Sequence, residues 1–236
     1  MAVTYPRSNP ILEFLVFAPV LLFSMVAHEY AHAEAAYRQG DSTAYMLGRL
    51  TFNPLKHIDP FMTVILPVLL WVQSHGAYTF GGAKPVPVNP RNYRNYVKGD
   101  VIVSLAGIAV NLVLFVIFTV LFAMVGTAGA AVTALKPTLE ILQRMMFYGM
   151  WWNLVLAFFN IIPIPPLDGS HVFYHILPPG AGMQYRQLQR FGFLPIFAVS
   201  LMLPRVIDFF LWPAVQLMGV ALRLVGGTAL PGGVPS

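Results

Sequence analysis

Cysteine is absent from all 236 residues, which excludes structural disulfides, thiolate zinc sites and cysteine nucleophiles. Charge is scarce as well. Asp, Glu, Lys and Arg make up 10% of the chain, against roughly 25% in an ordinary soluble domain. No internal repeat, heptad pattern or low-complexity stretch stands out before the Gly-rich tail from Gly226. Disordered, collagen-like and disulfide-scaffold classes are thereby ruled out. What is present is apolar: 57% hydrophobic residues, eighteen Phe and ten Tyr, with a mean hydropathy of +0.68. Such a surface cannot be solvated without large exposed apolar patches. The bilayer is the solvent that fits. The net charge of +5 calls for no nucleic acid, because Lys and Arg gather in the cytoplasmic loops of membrane proteins.

The length fits one domain spanning 1–236. Four stretches carry the membrane argument. Ile11–Tyr37 is closed by Gln39-Gly40-Asp41, a helix stop signal. Phe61–Val72 has only twelve residues with Pro67 in its middle, too short to cross and closer to a re-entrant segment. Val101–Val125 is almost wholly apolar, and Leu139–Ile162 is stopped by Pro163, Pro165 and Pro166. Phe191–Val225 reads either as two spans or as one span plus an interfacial helix. The expected fold is an all-α polytopic bundle of about four to five transmembrane helices with a re-entrant segment and short extended loops. Ala83-Lys-Pro-Val-Pro-Val88 is one such loop, since residues before proline are driven to extended conformations. Arg7 precedes an apolar run, but Met25 spoils a signal-peptidase site after Ala27, so the segment reads as retained.

His28-Glu29-Tyr30-Ala31-His32 carries the chemistry. Histidines four apart share one helix face and can hold one zinc ion, with Glu29 placed to take a proton from water. Ionisable groups at membrane depth are costly and signal function. A third ligand is needed. The candidates are Glu34, Asp41, Asp59, Asp100, Glu140, Asp168 and Asp208 together with His57, His75, His171 and His175. Asp168 stands out in Asn160-Ile-Ile-Pro-Ile-Pro-Pro-Leu-Asp168-Gly169, where a stiff proline-rich segment can hold a carboxylate; an ordinary turn Asp before Gly is the bland alternative.

Ligands of one metal must reach one membrane face. If Phe61–Val72 does not cross, the ends of the first and fourth stretches do share a face. Seven Lys or Arg lie in the Glu34–Asp100 connection and only Lys136 lies in Gly126–Thr138, so that face is cytoplasmic. Elsewhere the chemical signals are weaker. Ser104, Gly107 and Asn111 share a helix face, which close packing explains as well as a role beside the metal. His57 with Asp59 suits loop hydrogen bonding better than a second metal. His171 and His175 suit a short interfacial helix, and Trp71, Trp151, Trp152 and Trp212 suit interface anchoring or lipid contact.

HEYAH on an apolar helix followed by N-x-x-P-x-P-P-L-D-G resembles the site-2 protease family of intramembrane zinc metalloproteases, in its compact bacterial branch without a PDZ domain. Gly48–Pro60, Ala83–Val88 and Ala106-Gly107-Ile108-Ala109-Val110-Asn111 resemble it too, with Ile108 where proline is usual. The likeness covers about residues 10–175, leaving a C-terminal helical segment at about 186–226. It implies a multi-pass metalloendopeptidase of the bacterial plasma membrane with one zinc ion per chain. His28, His32 and Asp168 would be its ligands, Glu29 the general base and Asn160 a stabiliser of substrate or oxyanion. Its substrates would be transmembrane proteins or remnant signal peptides, cleaved near the cytoplasmic face in regulated intramembrane proteolysis. A catalytically silent scaffold of this fold would have lost Glu29 or a ligand, and a metal transporter would be expected to show internal repeats.

Overall fold

Pro10 opens the first helix, where its missing N–H costs nothing. α1 then runs unbroken over Pro10–Gln39, thirty residues and about 45 Å. It ends as the Gln39-Gly40-Asp41 signal predicts. Gly40 takes φ +110°, its N–H meets the Tyr37 carbonyl, and the Asp41 N–H meets that of Ala36, the paired bonds of a Schellman cap. The computed structural model describes residues 10–73 and 81–235; Arg7 and His75, singled out above, lie outside them.

After α2 (Thr43–Met46) and a loop, Pro60–Ile65 winds as a wide π turn directly into α3 (Leu66–Gln73). Together they give fourteen mostly apolar residues, short of a span. Trp71 of α3 packs on Phe14 and Phe17 near the start of α1, so the segment runs back along α1, away from His32. The chain is then again beside its point of departure: Gly82 N–H donates to Met62 O, Thr63 Oγ1 to Gly82 O, and Lys84 N–H to His57 O. Entry and exit share one level of the bundle, which is the geometry the parity of spans requires of Phe61–Val72.

α4 (Tyr96–Ala131) begins at that level, capped by Asn95, whose side chain accepts the Lys98 N–H. α5 (Lys136–Asn160) returns. Next come α6 (Asp168–Tyr174) and α7 (Pro179–Arg186). The C-terminal block resolves into α8 (Leu194–Met202), nine residues and too short to cross, and α9 (Pro204–Val225), which is long enough. Pro204 marks the break. α1, α4 and α9 each have the length and apolarity of a span, and α5, at 25 residues, matches them in length. The architecture is an all-α polytopic bundle of four long helices, without strands among the described residues.

The four long helices meet in one core: Val20 and Ala27 of α1, Leu114, Phe118 and Phe122 of α4, Met150 and Leu154 of α5, and Ala214 and Met218 of α9. Outward faces stay apolar, with Val113, Val116, Val120 and Met124 of α4 more than half exposed, as lipid contact requires. Trp212 also faces outward, whereas Trp71 and Trp152 pack on Phe17. At the end of the bundle away from His32, Glu13 pairs with Arg144 at 2.7 Å and accepts the Tyr148 hydroxyl proton. Arg144 and Gln143 there tie down the tail through Gly232 O, Thr228 O and Leu230 N–H.

Candidate metal centre

The last turns of α1 read Ala27-His-Glu-Tyr-Ala-His-Ala33-Glu-Ala-Ala36, and Ala33 and Ala36 are fully buried. Small residues there let neighbouring chain close in around two imidazoles. His28 and His32 are both more than nine-tenths buried, and both face α4. Their Nδ1 atoms are spoken for. His32 Nδ1 lies 2.7 Å from Val103 O, a group that can only accept, so that nitrogen carries the proton. His28 Nδ1 meets Asn111 Oδ1. Asn111 Nδ2 is committed to Asn153 Oδ1 at 2.8 Å, and Asn153 Nδ2 to Ser24 Oγ and Gly149 O. This relay through α4, α5 and α1 orients the Asn111 carbonyl toward His28. Both Nε2 atoms are therefore lone-pair acceptors, and they sit 2.9 Å apart.

The third group comes from α6. Beyond α5, Ile164 N–H bonds Ile162 O and Leu167 N–H bonds Ile164 O, folding the proline-rich run into consecutive turns. Ile162 and Leu167 are buried against Ile196 of α8. Gly169 has no room for a Cβ, which would overlap the Ile161 carbonyl. The Asp-Gly pair is thus a close-packed corner rather than a loose turn. Asp168 Oδ2 stands 3.1 Å from His28 Nε2 and 3.2 Å from His32 Nε2.

Three acceptors pointed at one another at 2.9–3.2 Å repel unless a cation sits among them, and Asp168 Oδ2 is buried with no hydrogen-bond donor. Zinc held at about 2.0–2.2 Å by tetrahedral ligands separates them by about 3.3–3.6 Å. The residues fit the ion: two imidazoles and a carboxylate, with the outer imidazole nitrogens hydrogen-bonded. Among the described residues this is the one such group of His, Asp and Glu.

The cluster opens on a cavity of about 500 Å³ that Glu29, Asn160, Ser104, His171 and Lys84–Val86 also line. Glu29 is half-buried and accepts the Val86 N–H on Oε2 at 2.7 Å. Asn160 reaches the same cavity while its Nδ2 donates to Leu156 O of its own helix at 2.9 Å. Gly107 lies against both imidazoles and Asn111 holds one of them, so the α4 face carrying Ser104, Gly107 and Asn111 belongs to the surroundings of the candidate centre as well as to helix packing.

Several of the remaining candidates do other work. Glu34 pairs with Arg38. Asp41 staples the loops, accepting from Thr43, Asn89 and Asn92. Asp59 caps Pro60–Ile65, and His57 Nε2 meets Thr51 O. His171 and His175 both turn to buried Asp100 of α4, at 3.4 and 2.8 Å, tying α6 to α4. Sequence reading passed over that pairing and the Ser24–Asn153–Asn111 relay. Their only sequence signal is a polar residue inside an apolar helix.

Long apolar helices enclosing two histidines and a carboxylate that could hold one metal ion define a membrane-embedded protein with a candidate metal centre. The profile of Peptidase family M50, the site-2 proteases, matches residues 16–203, and the chain belongs to that family. It is therefore a zinc metalloprotease integral to the bacterial plasma membrane. Among relatives, YwhC of Bacillus subtilis is 37% identical over 212 residues, 89% of this chain and 88% of that protein. Rip2 of Mycolicibacterium smegmatis is 32% identical over 191 residues, covering 81% and 68%. Both are named as zinc metalloproteases. No solved structure matches the chain.

Proposed function

We propose that this protein cleaves transmembrane segments of membrane proteins, or remnant signal peptides, close to the cytoplasmic face, in regulated intramembrane proteolysis. In this reading one zinc ion per chain is held by His28, His32 and Asp168. The observation that carries it is the convergence of three buried acceptors within 3.2 Å beside Glu29.

A bound zinc ion would polarise the scissile carbonyl and make water a stronger acid. Glu29 takes the proton of the attacking water and passes it to the amide nitrogen as that nitrogen leaves. Asn160 retains a second Nδ2 hydrogen beyond the one given to Leu156 O, and it donates to the carbonyl oxygen as negative charge grows there. Substrate must unwind to present its carbonyl, and it lies extended beside Ala83–Val88. Pro85 and Pro87 leave one edge of that run poor in donors, so pairing falls on the edge shared by Val86 and Val88.

A transmembrane substrate is favoured by the cavity's continuation. An apolar groove between α1, α3 and α5, lined by Phe14, Leu21, Trp152 and Val155, shares Met25, Leu156 and Phe159 with it. An apolar helix lying there delivers its cytoplasmic end to the metal. Purified protein in lipid nanodiscs should cut a single-pass substrate inside its apolar segment within a few residues of the cytoplasmic end, as mapped by mass spectrometry. Cleavage confined to soluble loops would overturn the substrate assignment.

A further inference from the structure

The run Ala83–Val88 forms a wall of the metal cavity and is pinned with more care than substrate binding alone demands. Lys84 N–H donates to His57 O at 2.8 Å, and Arg49 donates to the Lys84 and Pro85 carbonyls at 2.9 and 3.3 Å. Asn89 N–H donates to Asp41 at 2.7 Å, and the Val86 side chain is buried with Ala33 and Ala44. Proline at 85 and 87 removes the neighbouring amide hydrogens. The donor left at the centre, Val86 N–H, ends on Glu29 Oε2 at 2.7 Å, the length of a charge-assisted bond.

We propose that the backbone amide of Val86 is a positioning group for Glu29, fixing Oε2 so that Oε1 is presented to the cavity. The inference rests on the reading of Glu29 as general base. A glutamate on three rotatable bonds at the edge of a cavity of this size would otherwise sample several orientations. Misplacing a reacting group by about 1 Å costs about 10²-fold in rate. An amide from a proline-stiffened run anchored at His57, Arg49 and Asp41 is a rigid tether, and it ties the base to the same strand that flanks the substrate. Val86 C=O and Val88 N–H point the same way in an extended chain and make no hydrogen bond among the described residues. A peptide paired there would be in register with the carboxylate that acts on it.

Only proline can delete this donor. Val86 precedes Pro87 and is already confined to the extended region that proline itself occupies. Val86→Pro removes the N–H, while Val86→Ala keeps it and removes the buried side chain. In full-length zinc-loaded protein, Val86→Pro should lower kcat by about 10–100-fold relative to Val86→Ala, with KM within about threefold and zinc still stoichiometric. A second readout is independent of turnover: the Val86 amide should exchange hydrogen slowly in the wild type and much faster in Glu29→Ala. Equal kcat in Val86→Pro and Val86→Ala, or Val86 exchange indifferent to Glu29→Ala, overturns the proposal. If Val86→Pro fails to fold, the exchange comparison decides alone. If Glu29→Gln is inactive while Val86→Pro is fully active, this inference falls and the general-base reading stands. An active Glu29→Gln removes both.

Discussion

Gly107 of α4 lies directly against both imidazoles of the candidate metal centre and leaves no room for added atoms. A Cβ there would lie 2.5 Å from His28 Cε1 and 2.6 Å from the Nε2 atoms of both His28 and His32. Non-bonded carbons rest at about 3.5–4.0 Å, so Gly107→Ala forces each imidazole back by about 1 Å. Neither ring can swing aside freely. Their far nitrogens are held by Asn111 and Val103 O, and the rings already sit edge to face at 4.5 Å. Metal sites accept about 0.2 Å of error in ligand distance, so the displacement is several times the tolerance. Fold stability responds differently. Alanine in a helix interior is favoured over glycine by about 1 kcal/mol, and crowding of about 1–3 kcal/mol opposes it. The net change is within about 2 kcal/mol, a few degrees in thermal midpoint for a chain of this size. Gly107→Ala should therefore weaken zinc binding by about 10²-fold or more while the metal-free protein melts near the wild type. Competition against a chromogenic chelator measures the first, and thermal unfolding in detergent the second. Wild-type zinc affinity in Gly107→Ala would refute the reasoning, because the added Cβ leaves the imidazoles nowhere else to go.

Asn111→Leu, which removes the acceptor of the His28 Nδ1–H, should weaken zinc binding by about 10–100-fold as loss of such an outer partner does; the same chelator titration reads it. Asn160→Ala should lower kcat by about 10²-fold if its amide serves the oxyanion, with zinc content unchanged. A loss of thermal stability with normal turnover per folded molecule would instead make it a helix-end strut on Leu156 O. The native absence of cysteine permits a clean topology test: single cysteines at Asn92 and Gln184 should label from the cytoplasm and one at Thr133 from the opposite side. Burial alone would raise the Asp41 carboxyl, but the Asn89 and Thr43 amides, the Thr43 hydroxyl and Asn92 hold it below the ordinary carboxylate range. The stability it lends is complete above that range and drains away as pH falls below it toward the depressed native value. Denaturation midpoints of the wild type and Asp41→Asn should accordingly converge toward low pH.

The helix carrying the candidate ligands was legible because everything it needs is local. Histidines four apart share a face by helical period alone, and Gly40-Asp41 announces the cap. Re-entry was legible by a different route: Phe61–Val72 is too short to cross, and Asp168 must meet His28 on one face. Asp168 itself could be favoured but not singled out by spacing, since the burial of Ile162 and Leu167 against Ile196 and the tight fit of Gly169 arise only on packing. A polar residue inside an apolar helix signals that a partner exists, but no single stretch says which residue it is. Asn111 and Asn153 are 42 residues apart, and Asp100 and His175 are 75 apart. The C-terminal block stayed undecided because both sides of Pro204 are apolar, and only the nine-residue length of α8 excludes a second crossing.

Zinc binding and peptide hydrolysis should come apart in one pair of variants. Bound zinc and cleavage of a reconstituted single-pass substrate can be measured side by side on purified wild type, Glu29→Gln and Asp168→Ala. Glu29→Gln should hold one zinc ion per chain and cleave nothing, because Glu29 meets Val86 rather than the cluster. Asp168→Ala should lose both. Cleavage by Glu29→Gln, or full zinc occupancy in Asp168→Ala, would contradict a centre built from His28, His32 and Asp168 with Glu29 as its base.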